Sequence, residues 1–273
     1  MRTHPVDLPD TRLSVHTAGH GVPVLLLHAF PLDHRMWSRQ EPLAERVRLI
    51  VPDQRGFGGS RDTGVPASIE QLADDAVALL DALHVAEPAV VCGCSMGGYV
   101  AQHVAVRHPD RVRSLVLVDT KLESDTPEAR AARADLAAKV RRLGIDVVAE
   151  FMVPRLLADA PGTAGPDRDA LLAELGRIIA GQSVDTVVAA LAALAARPDM
   201  TEPLRGLRTP TLLVVGKNDR ITPPDCLERA ERVLGTPRLL IVPGAGHLTP
   251  LETPEAFNAA VLAFLEEFSS RER

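Results

Sequence analysis

Runs of consecutive apolar residues alternate with amphipathic helical segments along most of the chain. Residues 12–17 alternate between polar and apolar positions, as a half-exposed strand does. Strands that are buried on both faces are instead apolar throughout, and such runs occur at residues 22–28, 49–53, 89–92, 115–118, 211–215 and 239–242. Because apolar strands separated by helices are typical of a parallel sheet covered on both faces, the pattern predicts an α/β fold.

Two helices have distinct patterns. From Ile69 to Leu83 apolar residues recur at helical spacing, and Ser68 with Gln71 forms a capping-box pattern at the start. The last helix is predicted at residues 253–268, and its apolar face would consist of Phe257, Val261, Phe264, Leu265 and Phe268.

Residues 121–208 contain helical patterns without a strand pattern, joined by a proline- and glycine-rich segment at 160–166. Their place directly after an apolar strand favours a helical lid inserted between two strands of the sheet. A second helical domain with a role of its own is the alternative. We therefore predict a core domain at residues 1–120 and 209–273, and a lid at 121–208.

The segment around Ser95 carries the strongest chemical pattern. An apolar run leads into Gly93-x-Ser95-x-Gly97, and small and apolar residues of helical character follow. A strand–turn–helix of this form exposes a serine hydroxyl at a helix N-terminus, and the glycines avoid collisions at the sharp turn. The alternative is a glycine-rich turn that only packs tightly, but the flanking strand and helix favour a nucleophile.

A nucleophilic serine needs a base to take its proton and an acid to orient that base. In a parallel α/β sheet both follow the nucleophile, at the carboxyl ends of later strands. Asp219 follows the strand at 211–215, and His247 follows the strand at 239–242 within a glycine-rich loop. Asp119 also ends a strand and is a rival for the acid. Asp53 ends an earlier strand and is expected to organise a loop with Arg55.

The negative charge of a tetrahedral intermediate requires hydrogen-bond donors. The N–H of Met96 is one candidate, directly after the predicted nucleophile, and the N–H of Phe30 is the other, in the loop after an early strand. Pro31 fixes that turn, and His28 is expected to brace the loop through hydrogen bonds. Six further histidines have no supporting context and are expected at the surface: His16, His20, His34, His84, His103 and His108.

Composition excludes several classes of protein. The formal net charge is −6, and no run of lysine or arginine indicates a nucleic-acid or membrane partner. No apolar segment approaches the ~20 residues of a membrane helix, and the N-terminus lacks the apolar part of a signal peptide. We therefore expect a soluble, cytoplasmic protein.

The chain also lacks the patterns of common cofactors. Cys92 and Cys94 lie on a predicted buried strand with no second ligand pair at zinc spacing, so they are interpreted as small buried hydrophobes rather than metal ligands. No glycine-rich nucleotide-binding motif follows a strand. We expect no cofactor and no metal.

Taken together, these segments resemble the α/β-hydrolase family over nearly the whole chain. The matching sequences are LLHAFP at 26–31, DQRGFGGS at 53–60, GCSMGG at 93–98, GKND at 216–219 and GAGH at 244–247. Within the family, HLTPLETPE at 247–255 is similar to the C-terminal segment of small-lid bacterial esterases and of the 3-oxoadipate enol-lactonase-like group. These families usually have glycine where this chain has Ala29, in the loop that carries the oxyanion-hole donor.

The resemblance implies Ser95 as nucleophile, His247 as base and then acid, and Asp219 as the orienting acid. The leading hypothesis is a cofactor-free serine hydrolase that cleaves small carboxylic esters through an acyl-enzyme. A lactonase is the first alternative, since ring opening uses the same groups, and a cation for an anionic lactone would come from Arg133, Arg141, Arg142 or Arg155. The next alternative is a cofactor-free haloperoxidase or perhydrolase, and the last is a non-catalytic binding protein with the hydrolase fold. The lid and the loop from Phe30 to Trp37 are expected to line the substrate pocket, with Trp37 as a substrate-binding residue.

Overall fold

The structure is a computed structural model that describes residues 1–159, 167–235 and 237–271, with only the helical backbone described at 268–271. The predicted connecting segment at 160–166 and the predicted packing of Phe268 therefore lie outside the described residues.

A single eight-stranded sheet forms the centre of the molecule, with the strand order β1-β2-β4-β3-β5-β6-β7-β8. The first two pairings, β1 with β2 and β2 with β4, are antiparallel, and the other pairings are parallel. The strands are β1 (Arg2–Asp7), β2 (Arg12–Ala18), β3 (Pro23–Leu27), β4 (Arg48–Pro52), β5 (Ala89–Cys94), β6 (Val112–Val118), β7 (Thr211–Gly216) and β8 (Pro237–Val242). The predicted α/β fold with a mostly parallel sheet is confirmed.

The sequence pattern missed β1. This strand lies at the edge of the sheet, where it pairs with β2 alone, and most of its residues are exposed or half-buried. An edge strand needs no continuous apolar run, and it tolerates Pro5 because one side of its backbone has no partner strand. The missing apolar signal therefore has a physical cause.

Helices cover the sheet and connect most of its parallel strands. They are α1 (Ile69–Ala82), α2 (Met96–Arg107), α3 (Pro127–Leu143), α4 (Asp146–Leu156), α5 (Arg168–Ala180), α6 (Val184–Ala196), α7 (Pro224–Val233), α8 (Thr249–Glu252) and α9 (Pro254–Arg271). At the start of α1, Ser68 Oγ accepts a hydrogen bond from the N–H of Gln71, as the capping-box pattern predicts. The Gln71 side chain accepts from the N–H of Ala67 rather than of Ser68.

Four helices, α3 to α6, lie between β6 and β7, and we call them the helical insertion. Their buried apolar side chains, such as Val140, Leu175 and Leu191, belong to the same apolar cluster as the strands. Thr186 at the start of α6 donates a 2.9 Å hydrogen bond to the carbonyl of Gly56, which joins the insertion to the loop after β4.

Within the described ranges, no individual helix has the length and apolar composition of a membrane span. The consecutive helices α5 and α6 meet the length and composition test only together, and they are bent by 99° relative to each other.

Candidate active site

Ser95 lies at the sharp turn between β5 and α2. Its backbone has φ 52° and ψ −110°, a conformation that residues other than glycine rarely adopt. The turn is anchored because the Ser95 N–H donates to the Val118 carbonyl at 2.9 Å and the Thr120 hydroxyl donates to the Ser95 carbonyl at 3.0 Å. The residue is half-buried, whereas its neighbours Cys94 and Met96 are buried.

The flanking glycines are required by close backbone contacts. A Cβ on Gly93 would lie 2.0 Å from the carbonyl oxygen of Gly97, and a Cβ on Gly97 would lie 2.1 Å from the carbonyl oxygen of Leu27. Both separations are far below any van der Waals contact. The predicted collision of a side chain at either position with the neighbouring helix or strand is therefore confirmed.

The structure brings Ser95, His247 and Asp219 together from three separate loops. Ser95 Oγ lies 2.9 Å from His247 Nε2, and His247 Nδ1 lies 2.8 Å from Asp219 Oδ2. A hydrogen bond to an ionised carboxylate requires the proton on Nδ1, and this leaves the Nε2 lone pair directed at the serine hydroxyl.

Asp219 accepts four hydrogen bonds, which fill the lone-pair positions of an ionised carboxylate. Oδ1 accepts the N–H groups of Ile221 and Thr222 at 2.8 and 3.0 Å, and Oδ2 accepts the Thr222 hydroxyl at 2.8 Å besides His247. Burial opposes ionisation, but the neighbouring His247 and these hydrogen bonds outweigh it and hold the pKa of Asp219 below its ordinary value.

Thr222 is a site residue that the sequence analysis missed. Its hydroxyl also lies 3.2 Å from His247 Nδ1, so it contacts both the carboxylate and the imidazole. The available signal was a threonine three positions after a loop aspartate, a spacing at which backbone and hydroxyl groups often turn back onto the carboxylate.

His247 is buried, and burial alone would favour the neutral imidazole. The charge of Asp219 and its hydrogen bond outweigh this effect, so the pKa of His247 is raised above its ordinary value. The imidazolium that forms when His247 accepts a proton is therefore stabilised in place.

Asp119, the rival for the acid, has different partners. Its oxygens accept hydrogen bonds from the N–H of Gly216, the N–H of Thr249 and the hydroxyl of Thr249, each 2.9 Å long. No hydrogen bond joins it to His247 among the described residues. Burial, and secondarily the charge of Asp219, raises the pKa of Asp119 to about 7.

The loop after β3 places Phe30 beside the site. In the part of the chain that the structure describes, the N–H groups of Phe30 and Met96 have no hydrogen-bond partner. Ala29 has no positive φ, so alanine fits this loop without backbone strain, and its N–H points at Met36 Sδ, 3.0 Å away. His28 braces the loop as predicted, since its Nε2 accepts a 3.0 Å hydrogen bond from the Gln54 N–H.

A cavity of about 270 Å³ lies between the helical insertion and the loops of Phe30 and Ile221. Its lining is mostly apolar and includes Leu136, Met152 and Leu191. A larger groove of about 780 Å³ runs along the surface between residues 38–45 and the start of α9. Ser95, Asp219 and His247 are not among the lining residues of the cavity or of the groove.

Two arginines line the cavity, and they differ in their partners. Arg133 forms an ion pair with the buried carboxylate of Asp125, with a 2.5 Å hydrogen bond. Arg155 stacks on Phe151, with its guanidinium carbon 4.1 Å from the ring centre, and it pairs with no carboxylate among the described residues. Of these two arginines at the cavity, Arg155 is therefore the one whose charge is not neutralised by a carboxylate within the described residues.

Trp37 does not line the cavity, and this prediction is wrong. The residue lies in a 3-10 segment, His34–Glu45, which turns its side chain into the core. It is fully buried, and its ring centre is 6.1 Å from that of Phe257 on α9. Sequence position in a loop does not determine which way a large apolar side chain points.

His16, His34 and Asp53 form a polar cluster in which His16 and Asp53 are buried and His34 is half-buried. It corrects the predicted surface position of His16 and the predicted pairing of Asp53 with Arg55. His16 and His103 are buried rather than exposed, whereas His20 and His84 are exposed. Asp53 accepts from His34 Nδ1 at 2.7 Å and from the Gly59 N–H at 2.8 Å, while Arg55 pairs with Asp75 rather than with Asp53.

The ligand-type atoms of this cluster lie within 4.8 Å of one another, which is close enough for a metal site. However, the rings of His16 and His34 are stacked, with centres 3.4 Å apart and an interplanar angle of 17°. The lone pairs of stacked imidazoles run side by side rather than converging on one ion. The arrangement fits two rings that share one carboxylate better than it fits a metal.

Comparison with known proteins supports the fold and the family. Residues 22–254 match the family described as alpha/beta hydrolase fold. The chain is 30% identical to 3-oxoadipate enol-lactonase 2 of Acinetobacter baylyi over 86% of this chain and 85% of that protein. It is 33% identical to the pimeloyl-[acyl-carrier protein] methyl ester esterase of Chromobacterium violaceum over 93% of this chain and 98% of that protein.

A solved esterase of Thermogutta terrifontis, with malate bound, superposes with a TM-score of 0.89 at 36% identity, covering 98% of this chain and 99% of that one. The family match covers most of the chain, and the mostly parallel eight-stranded sheet agrees with it. This chain belongs to the alpha/beta hydrolase family.

Proposed function

We propose that the protein is a cofactor-free serine hydrolase that cleaves small carboxylic esters, with Ser95 as nucleophile, His247 as base and Asp219 as orienting acid. The observation that carries the proposal is the pair of hydrogen bonds at 2.9 Å and 2.8 Å that joins these three side chains. A serine hydroxyl becomes an effective nucleophile when an oriented base can take its proton.

In the first half of the reaction, Ser95 Oγ attacks the ester carbonyl carbon while its proton moves to His247 Nε2. The carbonyl oxygen becomes an oxyanion, and we assign its stabilisation to the N–H groups of Met96 and Phe30, which have no other hydrogen-bond partner among the described residues. The tetrahedral intermediate collapses as the bond to the leaving alcohol breaks. His247 gives its proton to the oxygen of the leaving alcohol, and an acyl-enzyme on Ser95 remains.

In the second half, a water molecule gives a proton to His247 Nε2 and attacks the acyl carbon. The second tetrahedral intermediate collapses, Ser95 Oγ leaves and regains the proton from His247, and the carboxylic acid is released. Asp219 stays ionised throughout and stabilises the imidazolium in each half. In this proposal the helical insertion is the lid, because the cavity lies between it and Phe30.

The proposal is tested with a fluorophosphonate probe followed by mass spectrometry, together with hydrolysis of short-chain p-nitrophenyl esters. We expect one adduct on Ser95, no adduct and no hydrolysis for Ser95→Ala, and unchanged behaviour for Ser124→Ala, a half-buried serine in the segment between β6 and α3. Labelling of the Ser95→Ala variant would contradict the proposal. Labelled wild-type protein that hydrolyses no ester or lactone would instead indicate a binding protein.

A lactonase is the second candidate, and a specific observation favours it. Arg155 places a cation without a carboxylate partner, within the described residues, at a mostly apolar cavity whose other arginine, Arg133, is paired with Asp125. Such a cavity suits a substrate with an apolar body and one anionic group. A relative of this chain is named 3-oxoadipate enol-lactonase 2. Assaying neutral esters and anionic lactones in one panel separates the two candidates.

A further inference from the structure

Glu252 is a buried carboxylate that lies against the base loop, residues 244–248. The residue is 8% exposed, and its Oε1 accepts hydrogen bonds from the N–H groups of Gly246 at 2.7 Å and Leu248 at 3.3 Å. These two residues flank His247 in the chain. A carboxylate that holds both neighbours of His247 fixes the backbone from which the imidazole projects.

The same carboxylate also reaches the helical insertion. Its Oε2 accepts a 2.7 Å hydrogen bond from the N–H of Ala158, in the segment directly after α4. Within the described ranges, no lysine, arginine or histidine forms an ion pair with Glu252. Its partners are therefore three backbone N–H groups, from two different parts of the fold.

Two further contacts join the base loop to that segment. The N–H of His247 donates a 3.0 Å hydrogen bond to the carbonyl of Leu156, the last residue of α4. A Cβ on Gly246 would lie 2.5 Å from the nitrogen of Ala158, so the two backbones are in close contact. The helix α4 also carries Met152 and Arg155, which line the cavity.

We propose that Glu252 is a positioning residue that links the helical insertion to His247, so that the position of α4 and the geometry of the base are coupled. The inference rests on the proposed role of His247 as the base. The negative charge of Glu252 also favours the imidazolium form of His247, in addition to holding the loop.

Several titratable groups face His247. Asp219 lies in the loop after β7, Asp119 at the end of β6, Glu252 on α8, and the thiol of Cys94 at the end of β5, with its Sγ 3.9 Å from the His247 carbonyl oxygen. All three carboxylates contribute to raising the pKa of His247, and Asp219 contributes most. Burial raises the pKa of Glu252 itself, against the opposing effect of its N–H donors.

The test is the substitution Glu252→Gln, with kcat and kcat/KM for a neutral p-nitrophenyl ester measured as a function of pH. The amide keeps the size of the side chain but removes its charge and replaces one acceptor oxygen with a donor. We expect kcat to fall about tenfold, as for the loss of a charge-assisted hydrogen bond. We also expect the acidic limb of the kcat/KM profile to move to lower pH, because the pKa of His247 falls.

Two variants act as controls. Glu252→Asp keeps the charge but is one methylene too short to reach all three N–H groups, so kcat should fall while the acidic limb stays at the wild-type pH. Glu255→Gln removes an exposed carboxylate on α9 and should leave kcat and the pH of the acidic limb unchanged.

Thermal melting establishes that each variant is folded. A folded Glu252→Gln protein with the wild-type kcat and pH profile would overturn the inference. If Glu252→Gln does not fold, Glu252→Asp decides the matter, since unchanged kcat in that variant overturns the inference equally. Fluorophosphonate labelling of the wild-type Ser95 is measured in parallel, because its failure would remove the proposed function itself rather than the role of Glu252.

Discussion

Asp119 accepts two hydrogen bonds from Thr249, one from its N–H and one from its hydroxyl, each 2.9 Å long. Thr249 lies two positions after His247, and Asp119 also accepts the N–H of Gly216, the last residue of β7. The rival carboxylate therefore joins the strand that precedes Asp219 to the segment that follows His247, without a hydrogen bond to the imidazole.

The first prediction separates the two aspartates. Burial and neighbours push the pKa of Asp219 down and that of Asp119 up to about 7, so a neutral side chain is costly at position 219 and tolerable at position 119. We expect Asp219→Asn to lower kcat roughly 10³- to 10⁴-fold. Asp119→Asn should lower it less than about tenfold, since it loses one backbone or hydroxyl hydrogen bond. The reverse order in steady-state assays would identify Asp119 as the acid.

The second prediction concerns the pH dependence of catalysis. The base must be neutral to accept the proton of Ser95, so kcat/KM rises as pH increases through the pKa of free-enzyme His247. Because Asp219 outweighs burial and raises that pKa, the acidic limb should lie above 6.5, the ordinary histidine value. A profile of kcat/KM with a neutral ester checks this, and a midpoint clearly below 6.5 would contradict it.

The third prediction concerns the pH dependence of stability. Asp119 has a pKa of about 7 in the folded protein and an ordinary value of 3.8, so between these pH values the folded state binds the additional proton. The free energy of unfolding contributed by this group is therefore largest below pH 3.8 and decreases as pH rises toward 7. Asp119→Asn lacks this dependence. The melting temperature of the wild type should fall relative to that of Asp119→Asn as the pH rises from 4.5 to 7. A difference in melting temperature that stays constant over this range would contradict the raised pKa of Asp119.

The fourth prediction concerns the turn at Ser95. Gly97→Ala places a Cβ 2.1 Å from a backbone carbonyl oxygen that cannot move without shifting β3. We expect the free energy of unfolding to fall by about 3 kcal/mol or more, at the upper end for overpacking. Gly176→Ala is the matched control on α5, where nothing lies within 4 Å of the new Cβ, and helix propensity should stabilise it by about 0.5–1 kcal/mol. Urea unfolding measures the free energy of unfolding of both variants. Equal changes in Gly97→Ala and Gly176→Ala would contradict the role of the close contact at Gly97.

The fifth prediction tests the cation at the cavity. Arg155→Gln should raise KM about tenfold for an anionic lactone, the size of a lost hydrogen bond to a charged group, and leave KM for a neutral ester nearly unchanged. Arg142→Gln is the control, because Arg142 is an exposed arginine on α3 that does not line the cavity. A uniform change for both substrates would show that Arg155 does not discriminate charge.

The buried strands were predictable from sequence because each is apolar on both faces, as at 211–215, and the edge strand β1 was not, because most of its residues are exposed or half-buried and form no apolar run. The order Ser95, Asp219, His247 was likewise readable, since each residue follows a recognisable strand. The direction of Trp37, the burial of His16 and the partner of Arg55 depend on contacts with distant segments and were predicted wrongly.

By itself, the sequence determined the parallel sheet, the turn that presents Ser95 and the loops that carry Asp219 and His247, because periodicity and glycine placement are local properties. Tertiary structure decided which carboxylate meets the imidazole, since Asp219 and Asp119 both follow strands and differ only in what lies opposite each one. It also decided that Thr222 contacts His247 and that Glu252 reaches Ala158, because each of these contacts joins segments that are distant in the chain.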